Sequence, residues 1–135
     1  MNYTDIIVRY AETDQMGVVH HCVYPVWFEA ARTDLMDNAG YPYARIEKEG
    51  IMLPVVHLEC DYKGGVRYGE TVTVRCFVEK LTIARLVLGY EVRRKGEDEI
   101  LCSGRSGHGW TDSNMNVINL KKRAPELYNF LENMG

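Results

Sequence analysis

The chain has 135 residues, of which 46% are hydrophobic and 26% charged, with a formal charge of −3. That length suits a single core, and the composition excludes both intrinsic disorder and a miniprotein dependent on disulfides. The slight acidic excess, with a pI near 5.8, leaves few cations to neutralise phosphates, so nucleic acid is not the expected partner.

The start, Met1-Asn2-Tyr3-Thr4-Asp5, lacks the cationic and apolar runs of a signal peptide. No apolar stretch approaches the roughly 18 residues of a membrane span. A soluble, cytoplasmic protein is therefore expected. Cys22, Cys60, Cys76 and Cys102 are widely spaced without a C-x-x-C pair, which predicts free thiols rather than a zinc or redox site.

In chain order, Ile6 to Tyr10 predict a first strand from weak alternation and β-branched residues. A loop carrying Thr13-Asp14 and Gly17 follows. Pro25 suits the first turn of a helix, where its missing N–H would be unpaired in any case, so a helix is predicted from near Tyr24. Trp27, Ala30, Ala31, Leu35 and Ala39 then recur at threes and fours, and Asn38 with Gly40 supplies the stop. Val26 and Trp27 beside Ala30 and Ala31 make a wide apolar arc, as expected of a helix wrapped by a sheet.

A short turn is predicted over Tyr43 to Glu49, and from Leu53 to Trp110 the chain reads as strand and turn. Leu53 to Tyr62 makes one strand. Val72, Val74, Cys76 and Val78 alternate with polar residues in the next, as do Leu86, Leu88, Tyr90 and Val92 in a third. Glu99 to about Thr111 makes the last. The short connections predict an antiparallel meander. Ala124 to Met134 predicts a short surface helix. The class is α+β, one domain over residues 1–135, with a single long helix across a curled antiparallel sheet.

From Arg9 to Arg32 the chain reads R-Y-A-E-T-D-Q-M-G-V-V-H-H-C-V-Y-P-V-W-F-E-A-A-R. This segment resembles the hallmark of the 4-hydroxybenzoyl-CoA thioesterase family and its YbgC-like acyl-CoA thioesterases. Tyr10, Glu12, Thr13, Asp14, Gly17, Val18, Val19, His21, Tyr24, Trp27, Phe28, Glu29, Ala31 and Arg32 meet the family pattern in register. The likeness extends over Tyr62 to Val74. Gly65 stands where the family commonly has proline, and Val23 replaces a common Asn. The resemblance implies a hotdog fold, in which an antiparallel sheet wraps the long helix, and hydrolysis of an acyl-CoA without a metal or other cofactor.

Thioester hydrolysis needs a nucleophile or base, together with donors where the carbonyl oxygen gains charge. A helix N-terminus offers such donors, because its first N–H groups lack intrahelical partners. The resemblance makes Asp14 the nucleophile or general base and places the polarising N–H near His21. It sets Met16, Gly17, Val18 and Tyr24 around the substrate. On the residues alone, Thr13-Asp14 reads first as a helix-entry or turn pair, a reading that the family context reverses, while His21 reads equally as a histidine satisfied by a carbonyl and Tyr24 as packing. Glu29 and Arg32 are spaced to form an ion pair, with Glu29 a minor alternative acid on the helix.

His57, Glu59 and His108 form no metal pattern in sequence, and Ser103 to Gly109 lacks the Lys and following helix of a phosphate loop. Arg67, Arg85, Lys121, Lys122 and Arg123 are candidates for the nucleotide phosphates of CoA. A hotdog hydratase is disfavoured because Tyr24 to Gly40 holds no His. A non-catalytic acyl-CoA or acyl-carrier-protein binding module is the alternative of another class, and an acyl carrier protein is an alternative donor for the enzyme. The long strand Leu53 to Tyr62 would leave an open edge in a monomer, which predicts a homodimer or homotetramer.

Overall fold

Tyr24, Trp27, Phe28, Ala31, Arg32, Leu35 and Met36 repeat at intervals of three and four and are all buried, so the computed structural model winds them into helix α1, Tyr24–Asn38. The structure describes residues 2–134. Strand β1, Asn2–Ile7, precedes α1, and a short helix α2, Tyr43–Lys48, follows it. Four strands come next: β2 Val55–Tyr62, β3 Thr71–Leu81, β4 Arg85–Arg94 and β5 Ile100–Gly109. The chain closes with α3, Leu120–Arg123, and α4, Pro125–Met134.

All pairings are antiparallel, in the order β1-β3-β4-β5-β2. The strands therefore do not form the simple meander that the short turns predict. Only β3, β4 and β5 follow one another across the sheet, while β2 crosses to the far edge and β1 takes the place beside β3. The crossing segment after β2 is pinned by buried Val66, whose carbonyl accepts the Val19 N–H at 2.8 Å. The first strand also ends earlier than expected. The Val8 N–H turns to the Glu70 carbonyl at 2.9 Å, and Tyr10–Glu12 coils into a 3-10 turn.

Val72, Val74, Cys76 and Val78 of β3 alternate inward with Leu86, Leu88, Tyr90 and Val92 of β4, and together they bury α1. This is the wrapped helix of the hotdog fold. The aromatic ring of Phe28 stacks on Tyr90 with centroids 4.3 Å apart. It also lies over Gly104, where an added Cβ would come within 2.5 Å of both the Phe28 ring and the Glu59 carbonyl oxygen. Gly104 of the last strand thus serves close packing. Helix α4 is less superficial than expected, since Leu127, Tyr128 and Leu131 are buried.

Arg32 forms the expected ion pair with Glu29 at the limit of its reach and makes its other contacts inside. Its guanidinium only reaches that carboxylate at 4.0 Å and turns into the core. There Nε meets the Tyr43 hydroxyl at 3.0 Å and Nη1 the Tyr90 hydroxyl at 3.2 Å. The contacts continue from Tyr90 to Ser106 Oγ at 2.6 Å, from Ser106 to His108 Nε2 at 2.7 Å, and from His108 Nδ1 to the Leu53 carbonyl at 3.3 Å. The four cysteines are free thiols. Among the described residues no helix is long and apolar enough to cross a membrane.

Burial, and then the charge of Arg32, push His108 from its ordinary 6.5 down to about 4. The unfolded chain therefore takes up a proton at a pH where the folded chain does not. The stability that comes from keeping His108 neutral is complete above about pH 6.5 and drains away as the pH falls towards 4, by about 3 kcal/mol in all. Urea unfolding of the wild type should show this loss between pH 6.5 and 4.5, and His108→Gln should flatten that part of the curve.

Candidate active site

The loop between β1 and α1 folds as a small hairpin. Thr13 bridges Val19, the Asp14 N–H donates to the Val18 carbonyl at 2.8 Å, and the Gly17 N–H returns to the Asp14 carbonyl at 3.0 Å. Gly17 has φ +81°, a left-handed conformation that costs a residue with a Cβ about 1–2 kcal/mol. The Asp14 side chain closes the same turn. Its Oδ1 accepts the Met16 N–H at 2.8 Å and the Val18 N–H at 3.3 Å. Oδ2 has no partner among the described residues, so one carboxylate oxygen fixes the turn and the other is unpaired.

Val18 is shared between two parts of the fold, because it also bridges Arg67 in the segment before β3. This brings Tyr68 to the hairpin. Tyr10 and Tyr68 meet edge to face with centroids 5.7 Å apart. With Ala11, Thr13, Asp14, Gln15 and Gly17 they line a groove of about 640 Å³. Arg67 borders the groove, its Nη1 standing 3.3 Å from where a Cβ on Gly17 would be.

Beyond the hairpin, His20 Nδ1 accepts the Cys22 N–H at 3.1 Å, and a 3-10 turn over His21–Val23 runs directly into α1. The two histidine rings stack at 4.2 Å. The Tyr62 hydroxyl at the end of β2 donates to the His21 carbonyl at 2.9 Å. The N–H of His21, at the start of this turn, has no acceptor among the described residues. A carboxylate oxygen on one arm and an unpaired N–H at the entrance to a helix are what acyl hydrolysis requires.

Of the residues expected around a substrate, Gly17 lines the groove, Met16 is exposed at the apex and Val18 carries the bridge to Arg67. Tyr24 is buried against Trp27 and Tyr62, at ring separations of 5.0 and 5.4 Å. Desolvation pushes its hydroxyl up to about 12. Glu29 is exposed and borders none of these contacts.

Tyr68 was not singled out by sequence, since only the crossing of β2 brings its segment to the hairpin. Among the cationic candidates Arg67 alone borders this groove. Arg85 lies in another hollow with His57 and His108, and Lys122 and Arg123 in a third with Ile118 and Asn119. His57 and Glu59 share the outer face of β2, paired at 3.0 Å. A concavity of about 230 Å³ on that outer face is rimmed by acids whose Arg105 partner is committed to Glu79 at 2.6 Å and Glu59 at 3.5 Å.

Residues 16–101 match the family model described as the thioesterase superfamily. "Putative acyl-CoA thioesterase YneP" of Bacillus subtilis is 36% identical over 129 residues, covering 95% of this chain and 93% of its own. A 1,4-dihydroxy-2-naphthoyl-CoA hydrolase of a Synechococcus species is 27% identical over 113 residues, covering 79% and 74%. The crystal structure of DHNA-CoA thioesterase from Staphylococcus aureus superposes with a TM-score of 0.91 at 35% identity, covering 98% of this chain and 89% of that one.

Gly17→Ala places a Cβ in the left-handed region and against Arg67. It should lower the stability of the chain by about 1 kcal/mol or more, read as an earlier urea midpoint.

Proposed function

Because the chain belongs to the thioesterase superfamily and is a thioester hydrolase, we propose that it hydrolyses acyl-CoA, with Asp14 as nucleophile or general base and the His21 N–H as oxyanion donor. The observation that carries this reading is the divided Asp14 carboxylate, with Oδ1 held by two backbone N–H groups and Oδ2 free. As a nucleophile, Asp14 attacks the thioester carbon and the CoA thiolate leaves, and water then hydrolyses the mixed anhydride. As a base, it takes a proton from water, whose oxygen attacks the same carbon, and returns the proton to the departing thiolate. Both routes pass through a tetrahedral oxyanion that the His21 N–H would stabilise. Removal of one such donor ordinarily costs about 10²–10³ in rate.

The names of the relatives put a bicyclic aromatic acyl-CoA first in a substrate screen, with short and long aliphatic acyl-CoAs as the comparison. Arg67, beside Gly17, is the nearest cation for the phosphates of CoA.

The active unit is a homodimer formed along β2. Among the described residues that strand pairs only with β5, and Val56, Leu58 and Tyr62 are exposed, as is Val26 of α1. Pairing two copies of β2 would satisfy the open backbone edge and cover this apolar strip. Light scattering at micromolar concentration should give about twice the chain mass of 15.5 kDa or a multiple of it, and a mass near 15.5 kDa would overturn the dimer.

Asp14→Asn tests the chemistry. The Asn oxygen can still accept the Met16 and Val18 N–H groups, so the turn should persist while the negative charge is lost. Turnover of acyl-CoA should fall at least about a hundredfold with the fold and mass unchanged. A folded variant that keeps its turnover would remove Asp14 from the reaction. Binding of acyl-CoA without turnover by the wild type would favour a binding module instead.

A further inference from the structure

Glu12 is a buried carboxylate, 6% exposed, two residues before Asp14. Both of its oxygens are used. Oε1 accepts the Arg9 N–H at 2.7 Å, and Oε2 accepts the Trp27 indole N–H at 3.0 Å, with Arg9 Nη2 at 3.5 Å. Burial works to raise its pKa, but the Arg9 N–H and the indole outweigh it and hold the group below the usual carboxylate range. The carbonyl of the same residue accepts the His20 N–H at 2.9 Å. One residue therefore ties together the entrance of the hairpin, the first turn of α1 and the residue next to His21.

An apolar side chain could fill this space without the desolvation that a buried carboxylate suffers. What the carboxylate adds is direction. The two proposed reactive groups stand on different elements, Asp14 on the first arm of a hairpin and the His21 N–H at the entrance to α1. The far arm of the hairpin is tied to the segment before β3 by the Val18–Arg67 bridge and the Val19 N–H on the Val66 carbonyl, whereas the arm that carries Asp14 needs a tie of its own to the helix. Glu12 is that attachment. Its chain side carries Thr13 and Asp14, and its side-chain oxygen is held by Trp27, in the first turn of the helix that His21 leads into.

We propose that Glu12 is a positioning residue for hydrolysis, with its clasp on the Trp27 indole setting the separation between the Asp14 carboxylate and the His21 N–H. This rests on the reading of Asp14 given above. Misplacement of a reacting group by about 1 Å can cost up to about a hundredfold in rate, and such a loss falls on the chemical step rather than on substrate capture.

Glu12→Gln keeps the size but replaces one acceptor oxygen with a donor, so it cannot accept from both Arg9 and Trp27. Trp27→Phe removes the indole N–H and leaves the carboxylate in place. Each should lower kcat about ten- to a hundredfold, with KM within about twofold and an unchanged mass in solution. Because Glu12 acts through Asp14, adding Glu12→Gln to Asp14→Asn should cost less than about twofold more. Should Glu12→Gln fail to fold, Trp27→Phe decides alone, by its own kcat and by its combination with Asp14→Asn.

Folded variants with kcat within twofold of wild type, a change confined to KM, or losses that multiply in the double variant would each overturn the proposal. If Asp14→Asn is inactive while the Glu12 and Trp27 variants are fully active, positioning alone falls. If Asp14→Asn hydrolyses at the wild-type rate, the reading of Asp14 falls and the positioning role with it.

Discussion

How closely α1 can lie on β5 governs the rest of the molecule. At Gly104 there is no room for a side chain, because the Phe28 ring and the Glu59 carbonyl oxygen already occupy the space. The ring that takes this position stacks on Tyr90, a burial that contributes about 2–3 kcal/mol by transfer and about 1 kcal/mol more as an aromatic pair. With the helix seated there, its first turn comes to the end of the sheet where β2 finishes. That is why the Tyr62 hydroxyl reaches the His21 carbonyl, and why the loop entering the helix rests on both layers.

The seated helix also carries a guanidinium into the core. Among the described residues its closest carboxylate is exposed and at the limit of an ion pair, so Arg32 is stabilised mainly by two tyrosine hydroxyls. A buried cation with no buried anion makes its surroundings hostile to a second positive charge. Burial already disfavours the charged form of His108, the Arg32 charge adds to it, and the core of β5 accommodates the imidazole in its neutral form.

Much of this was legible in the residues. The helix was readable because its apolar spacing, Pro25 and Gly40 all agree, and the loop before it because Thr13, Asp14 and Gly17 stand at turn spacing beside a family motif, although its hairpin pairing was not. Strand existence followed from alternation. Strand order did not, since alternation tells which face a residue takes and nothing about which strand lies beside it. Tyr68 was hidden for the same reason. Helix spacing gave Arg32 its partner at Glu29 but does not reveal that Tyr43 and Tyr90 offer oxygens from inside. The last helix looked superficial because a ten-residue amphipathic segment does not announce what it covers.

The line of contacts from Arg32 to His108 has a polarity that follows from its first member. A guanidinium can only donate, so Tyr90 receives at its oxygen and its own proton must go on to Ser106. Ser106 then gives its proton to Nε2 of His108, which leaves the imidazole proton on Nδ1, facing the Leu53 carbonyl. Every hydroxyl rotor along the way is set by one fixed charge, and the imidazole is restricted to a single tautomer. A proton arriving at Nε2 would turn that nitrogen into a donor towards Ser106 and leave the serine's own proton without its acceptor. The chain of hydroxyls thus behaves as a one-way relay of orientation, and it carries the sign of the charge on the helix across the sheet to the carbonyl just before β2.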